Sequence, residues 1–435
     1  MRRQAKGATR LGYRSAVATL MGLGLVSAVV WGDPRVLTFA THWSTGDDQY
    51  KLLSRYVAEY NAQQSQVKIE LVQSSGFADS VNPQFLVQAA AGSAPDIIHT
   101  PASSLAQYGD QLHFVQPAPP TVAADLRKAF LPGALTLATV KGILYGPPTE
   151  NQIHAMALNG AVFEQDGLEV KAPSTWTELA ALAHKIQRVS ADGKLQVAGV
   201  EIIPRRSTLS MAWSNGGEVV NTAGDAVTTD TSAWTEMVLF LSGLVRDGSA
   251  VVNGSLFNEE KAGIRLGTAP WMRGGYLSAS GEASYDKLVT AALPPGSTGR
   301  PVAEQYGYVI AVTSSAKDPA AAWNFVEWLA AQRTPEGKTR MGSVMASLGS
   351  IPTNLDDLRN QPTQQDPYLK GFIDILSKGE TRTANDLPPL GIGIDNELED
   401  QLTTAIQGEL EVNNALEKMT KDLQSRLDDY LNKQK

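Results

Sequence analysis

The chain has 435 residues and no cysteine, which excludes disulfides, thiolate metal sites, iron–sulfur clusters and a cysteine nucleophile. Its 45 acidic and 37 basic side chains give a formal net charge of −8, and five of the basic residues crowd the first 14 positions, so the remainder is more acidic still. Such a balance disfavours nucleic acid and anionic membrane as partners, and the length fits two domains.

Arg2, Arg3, Lys6, Arg10 and Arg14 precede an uncharged apolar run from Ser15 to Trp31. A basic lead before a short apolar stretch is the pattern of an export signal. Residues 1–32 are therefore expected to be a signal peptide, cut after Ala28 or Gly32, or a retained N-terminal anchor. With no cysteine to carry a lipid, the chain is not expected to be a lipoprotein. It is expected outside the cytoplasm, in a periplasm or on the outer face of the membrane.

Val36–Thr41 reads as a buried strand and Gln49–Gln63 as a helix, with Leu52, Leu53, Tyr56, Val57 and Tyr60 at helical spacing. Val67–Gln73 alternates as a strand, Asn82–Ala91 returns to helix, and Pro95–Ile98 opens another strand. The rhythm restarts with strands at Lys141–Tyr145 and His154–Asn159. A helix over Thr175–Arg188 follows, opened by a Thr175/Glu178 capping box. Strand Val197–Ile203, helix Thr231–Asp247, strand Tyr308–Val312 and helix Pro319–Ala331 come next. Two helices, interrupted near Gly408, fill Ile394–Gln434. Alternating strands and helices predict an α/β protein with mostly parallel sheets.

Signatures of catalysis are sparse. Gly337-Lys338-Thr339 resembles the end of a phosphate-binding loop, but Gln332 stands where its first glycine belongs. Ser314-Ser315-Ala316-Lys317 fits S-x-x-K and reads as a polar loop. The five histidines are never paired at metal spacing, and no cofactor is called for. Aromatics near element ends carry more information, because Trp and Tyr cover the apolar face of a sugar ring while carboxylates and amides bond its rim. Trp43, Trp213 and Trp271 stand in such positions, beside small or polar residues.

Several runs together resemble family 1 of the bacterial extracellular solute-binding proteins, the receptors of carbohydrate ABC importers. Ala94-Pro95-Asp96-Ile97-Ile98 resembles their A-P-D-(V/I) strand, and Gly142-Ile143-Leu144-Tyr145-Gly146-Pro147 their hinge strand. Pro173-Ser174-Thr175-Trp176-Thr177-Glu178-Leu179 resembles P-x-T-W-(D/E)-E-L, and Ala269-Pro270-Trp271 a G-P-W turn. Asn414-Ala415-Leu416 fits the closing helix. These runs arrive in family order over nearly the whole chain after the leader. Two departures stand out. Gln305-Tyr306-Gly307-Tyr308 replaces paired glycines, and His154–Asn159 replaces an L-Y-Y-N strand.

The resemblance implies a two-lobed periplasmic-binding-protein fold that closes on its ligand. The first lobe would take residues 33–145 with 303–350, and the second 146–302 with 351–435. By position, it implies ligand contacts at Trp43, Asp47, Asp48, Ser75, Phe77, His99, Ser103, Glu150, Asn151, Trp213, Trp271, Arg273 and Tyr306. The tryptophans would stack on sugar faces, and Asp47, Glu150 and Asn151 would bond hydroxyls. The implied partners are a carbohydrate and membrane permease subunits, with the chain itself a monomer and not an enzyme. Two alternatives stay open. Arg205-Arg206 and Arg273 would suit a polyol phosphate or another anionic solute, and a carboxylate pair would suit an envelope glycoside hydrolase.

Overall fold

The first apolar run, Arg35–Thr41, forms an interior strand of a four-stranded sheet in the computed structural model, which describes residues 34–78, 82–360, 365–383 and 400–433. The expected leader, residues 1–32, and the predicted helix start at Ile394 lie outside the described residues. The sheet runs Tyr308–Val312, Ile97–Pro101, Arg35–Thr41, Val67–Gln73; the last three are parallel and the first is antiparallel to its neighbour. Asp96 holds this arrangement together. Its carboxylate accepts from Thr38 N at 2.8 Å, Thr38 Oγ1 at 3.0 Å and Lys317 N at 2.7 Å. A fully buried carboxylate is tolerable only with such a set of donors. Helices Asp48–Gln63, Pro319–Ala330 and Arg340–Leu348 cover the sheet, and Phe39 meets Phe325 edge-on at 5.8 Å. This core draws on residues 37–145 and 309–345.

A second sheet runs Ala250–Val252, Leu195–Ile202, Ala262–Thr268, Ala155–Asn159, Leu288–Ala291. The first three strands are parallel, and the last two pair antiparallel. Strand periodicity gives this sheet two cores. Met156 and Leu158 face one core, whose residues run from 156 to 293 and, in the C-terminal helices, from 402 to 427. Ala155 and Ala157 face the other, with Phe257, Tyr276 and Phe372. Between parallel neighbours, Arg265 and Glu201 form a buried ion pair at 2.9 Å. Glu201 also accepts from Phe257 N at 2.9 Å, so neither charge is left bare.

The chain passes between the two bodies at residues 147–152, 306–308 and 349–351. Pro148 pairs with Val309 on the first-sheet side, and Gln152 with Tyr306 in a small sheet of Gln152–Ile153, Ala303–Tyr306 and Thr381–Thr383. Asn151 N donates to Ser350 Oγ at 3.1 Å across two of the passes.

Most predicted elements occur within a residue or two. Thr175 Oγ1 caps Glu178 N at 3.1 Å as expected, although Glu178 reaches Ser174 N rather than the cap's own amide. The predicted strand Lys141–Tyr145 shrinks to Ile143–Leu144, half of a two-strand hairpin with Thr139–Val140. Gly408, with φ of 78°, breaks the C-terminal helices as read. Helix Pro204–Ser214 and strand Ala262–Thr268 were not anticipated.

Candidate ligand-binding cleft

A cavity of about 580 Å³ lies where the passes meet, bounded by both bodies. From the first sheet come His42 and Trp43, just beyond the carboxyl end of Arg35–Thr41, and Ser103, just beyond Ile97–Pro101. Carboxyl ends of parallel strands are where α/β sheets collect ligand-binding loops. Trp43 packs on His99 with ring centroids 4.6 Å apart, and His42 stacks on Tyr308 at 4.4 Å. The passes supply Glu150, Gln152, Tyr306 and Tyr308, and the second body supplies Arg205, Arg206 and Trp271.

Trp271 is 41% exposed. Its indole N–H donates to Tyr306 Oη at 2.9 Å, its backbone N–H to Gln152 Oε1 at 3.3 Å, and the Arg206 guanidinium lies over its ring at 5.1 Å. The ring is thus held at its indole N–H, at its backbone and over its ring, and it keeps open surface in the cleft. Behind Tyr306, whose ring lies 4.7 Å from His154, His154 Nδ1 meets Glu304 Oε2 at 2.8 Å. Burial holds the Tyr306 hydroxyl above its ordinary range.

Glu150 is buried, and burial pushes its carboxyl up to about 8, with neighbouring Gln152 opposing the shift in part. Its Oε1 has no hydrogen-bond partner and stands 3.9 Å from His42 Nε2. Burial drives His42 down to about 4, against the pull of Asp47. His42 Nδ1 and Gln152 Nε2 also lack partners. Buried polar atoms left unpaired in a cavity wall are what a hydroxyl-rich ligand would satisfy.

Of the thirteen sequence-predicted contacts, Trp43, Asp47, Ser103, Glu150, Trp271 and Tyr306 line the cavity. The other seven do not. Asp48 starts helix Asp48–Gln63, pointing its carboxylate to Lys51 at 3.1 Å, while Asp47 caps the turn by accepting from Ser44 N at 2.7 Å. Ser75 is exposed, and the 3-10 turn Ser75–Ala78 rolls Phe77 into the core against Phe85 at 5.4 Å. His99 is fully buried one layer behind Trp43. The single Thr149 hydroxyl proton goes to Tyr308 O at 3.0 Å, so that oxygen accepts from His99 Nε2 at 2.8 Å; His99 Nδ1 then accepts from Thr41 Oγ1 at 3.3 Å. This satisfied, neutral imidazole is a support, with burial and nearby His42 holding its pKa well below the ordinary value.

Asn151 points away from Glu150, its Oδ1 accepting from Gln305 Nε2 at 2.9 Å. In extended backbone, Glu150 and Gln152 share one face and Asn151 takes the other, a period-2 signal present in the sequence. Trp213 sits in the last turn of Pro204–Ser214, 4% exposed, with the Arg382 guanidinium 4.7 Å from its ring. Arg273 turns away to Asp366 at 3.3 Å. Residues the sequence reading passed over include His42, Gln152, His154, Glu304, Tyr308 and Thr383.

A family model described as bacterial extracellular solute-binding protein matches residues 43–334. Among curated relatives, a probable ABC transporter-binding protein of Deinococcus radiodurans is 22% identical over 59% of this chain and 63% of its own length. An uncharacterised lipoprotein in the oleD 5′ region of Streptomyces antibioticus is 28% identical over 53% of this chain and 50% of its own length. The match thus spans less than two thirds of either relative. Among solved structures, the GacH receptor of Streptomyces glaucescens, studied unliganded and with acarbose, superposes with a TM-score of 0.71 at 20% identity, covering 91% of this chain and 99% of that one. A cyclic α-maltosyl-1,6-maltose binding protein from Arthrobacter globiformis gives 0.71 at 19% identity, over 91% and 100%. The fold is the two-lobed α/β fold of these receptors, and the chain belongs to the bacterial extracellular solute-binding proteins.

Proposed function

We propose that this protein is the substrate-binding receptor of a bacterial ABC importer, and that it takes a sugar or oligosaccharide in the cleft between its lobes. The observation that carries the reading is the part-exposed Trp271 ring, held by Tyr306 at its indole N–H, by Gln152 at its backbone and by Arg206 over its ring, beside the unpaired polar atoms of Glu150 and His42. An apolar plate flanked by unsatisfied donors and acceptors matches a pyranose, which has an apolar face and a hydroxyl rim. The relatives point the same way: the GacH receptor is seen with acarbose, the Arthrobacter globiformis protein is a cyclic α-maltosyl-1,6-maltose binding protein, and one curated relative is a probable ABC transporter-binding protein.

In this reading Trp43, Asp47, Ser103, Glu150, Trp271 and Tyr306 contact the ligand, joined by His42, Gln152 and Tyr308. The lobes divide near the passes, with residues up to about 147 and 308–348 in the first, and the rest in the second. The receptor acts as an exported monomer that binds without turnover and docks on permease subunits when closed. It is held outside the membrane by something other than a lipidated cysteine, since the chain has none.

Thermal unfolding against mono-, di- and trisaccharides tests the proposal. A ligand at a hundredfold its Kd raises stability by about 2.7 kcal/mol. Trp271→Ala should weaken binding of that saccharide at least tenfold while leaving the ligand-free melting midpoint nearly in place. A panel in which no saccharide moves the midpoint, or in which a saccharide is hydrolysed, overturns it.

A further inference from the structure

We propose that the ligand of this cleft carries an acidic group, a uronate carboxylate or a phosphate ester, and that Arg206, laid over Trp271 beside the spare amide of Gln152, reads it. The inference rests on the receptor reading and narrows it.

Arg206 stands in the first turn of the eleven-residue helix Pro204–Ser214. A helix start presents unbonded N–H groups and the positive end of the dipole, where anions stabilise and cations destabilise. Here the preceding Ile203 offers no side-chain cap, and the two residues after Pro204 are both arginines lining the cavity. Gly267, with φ of +91°, lets strand Ala262–Thr268 pass so close that a Cβ there would lie 2.9 Å from Arg206 Cβ, which fixes the turn. The contacts of Arg206 are the Trp271 ring at 5.1 Å and Met272 Sδ at 4.0 Å. No carboxylate of the described residues lies within ion-pair distance of it.

A second observation is independent of the helix. Gln152 is 1% exposed; its Oε1 is taken by Trp271 N, and its Nε2, close to Glu150, makes no hydrogen bond of good geometry. The guanidinium over the Trp271 ring and the Gln152 side chain bonded to the Trp271 backbone therefore flank the same residue.

The acidic groups of the cavity do not answer Arg206, and Glu150 alone lies against the Gln152 amide, which opposes its rise in part. Glu304 is paired with His154 at 2.8 Å, and Asp47 caps Ser44 N at 2.7 Å. Glu150 keeps its proton at neutral pH, because burial raises it to about 8. His42, driven down to about 4, brings no charge of its own. A carboxylate or phosphate on the ligand would supply the missing acceptor, bidentate on the guanidinium and bonded to the amide.

The test is calorimetric titration of the full chain and Arg206→Gln, at low salt, with glucose, glucuronate, glucose 6-phosphate, galactose and galacturonate. At least one acidic sugar should bind the native chain tenfold or more tighter than its neutral counterpart, and that ratio should fall towards one in Arg206→Gln. Arg206→Lys should fall between, since a point charge cannot reproduce a stacked fork. The uronate and phosphate arms tell which acid is read. Neutral sugars binding as tightly as acidic ones, or a ratio unchanged in Arg206→Gln, overturns this inference and leaves the receptor reading standing. Binding by none of the probes counts against both.

Discussion

Glu150 and His42 face each other at 3.9 Å with opposite dependences on pH. Folding raises Glu150 from 4.5 to about 8 through burial, so the native chain keeps a proton that the unfolded chain releases between those values. Its contribution to stability is therefore full below about 4.5 and is lost as pH rises towards 8. Folding lowers His42 from 6.5 to about 4, again through burial, so the unfolded chain takes up a proton that the native chain refuses. That contribution is full above 6.5 and is lost as pH falls towards 4. Between about 4.5 and 6.5 the two slopes cancel, and the pair gives a plateau with losses on both flanks. Buried His99, also held neutral, steepens the acid flank. Glu150→Gln should remove the Glu150 slope, so its melting midpoint should match that of the native chain at about pH 4 and exceed it increasingly up to pH 8.5. Melting curves of the two proteins that run parallel across this range would refute the assignment.

At the scale of elements, the passes between lobes leave no room for a side chain at Gly307. A Cβ on Gly307 would stand 2.0 Å from Glu150 O, in the segment that holds Thr149 N on Tyr308 O at 2.8 Å and Ala102 N on Gly307 O at 2.9 Å. Gly307→Ala should cost about 1–3 kcal/mol by forcing the strands apart, and should weaken ligand binding because Tyr306 and Tyr308 flank the site. Gly243→Ala, in helix Ser232–Arg246 with nothing within 4 Å of the new methyl, is the control and should hold or raise stability. Denaturant titration and ligand titration of both variants check this; equal effects in the two would remove the special place of Gly307.

The same scale explains what was legible in sequence. Arg35–Thr41, Val67–Gln73 and Asp48–Gln63 show in their periodicity because each buries one face or runs fully buried between turns. Pro204–Ser214 does not show, because from Ser207 on it is buried all round: Ser207, Thr208 and Ser214 return their hydroxyls to carbonyls four residues back, so polar residues occupy a core helix without an amphipathic stripe. Trp213 was read as an element end for that reason. Asn151 and Phe77 were misplaced for a different one, since proximity to a strand end says nothing about which way alternate side chains face.

At the scale of the whole molecule, the geometry sets what a ligand must do. Leu348, at the end of helix Arg340–Leu348, lines the cavity on the first side, and the left-handed Gly349 (φ 79°) after it packs close to Pro270 and Arg273 on the second. Among the described residues the walls of the cleft belong to two bodies linked by the extended passes, and bending there would change the distance between Trp43 and Trp271 without disturbing either core. A ligand that bridges both walls gains contacts only when they approach, and it shifts the open–closed population by that difference. Moving the balance from 1:99 to 99:1 takes about 5.5 kcal/mol of differential affinity, within reach of a stacked ring plus several bonds to otherwise unpaired groups. Because the chain has no cysteine, Ala124→Cys and Lys185→Cys place two dyes on exposed helix positions, one on each lobe, with no competing thiol. Saturating ligand should convert a broad single-molecule transfer distribution into a narrower one at a new efficiency. Trp271→Ala should need more ligand for the same conversion, since the lost plate acts only in the closed form. A distribution unmoved at saturation would mean that the ligand is held by one lobe and that closure is not this protein's response to it.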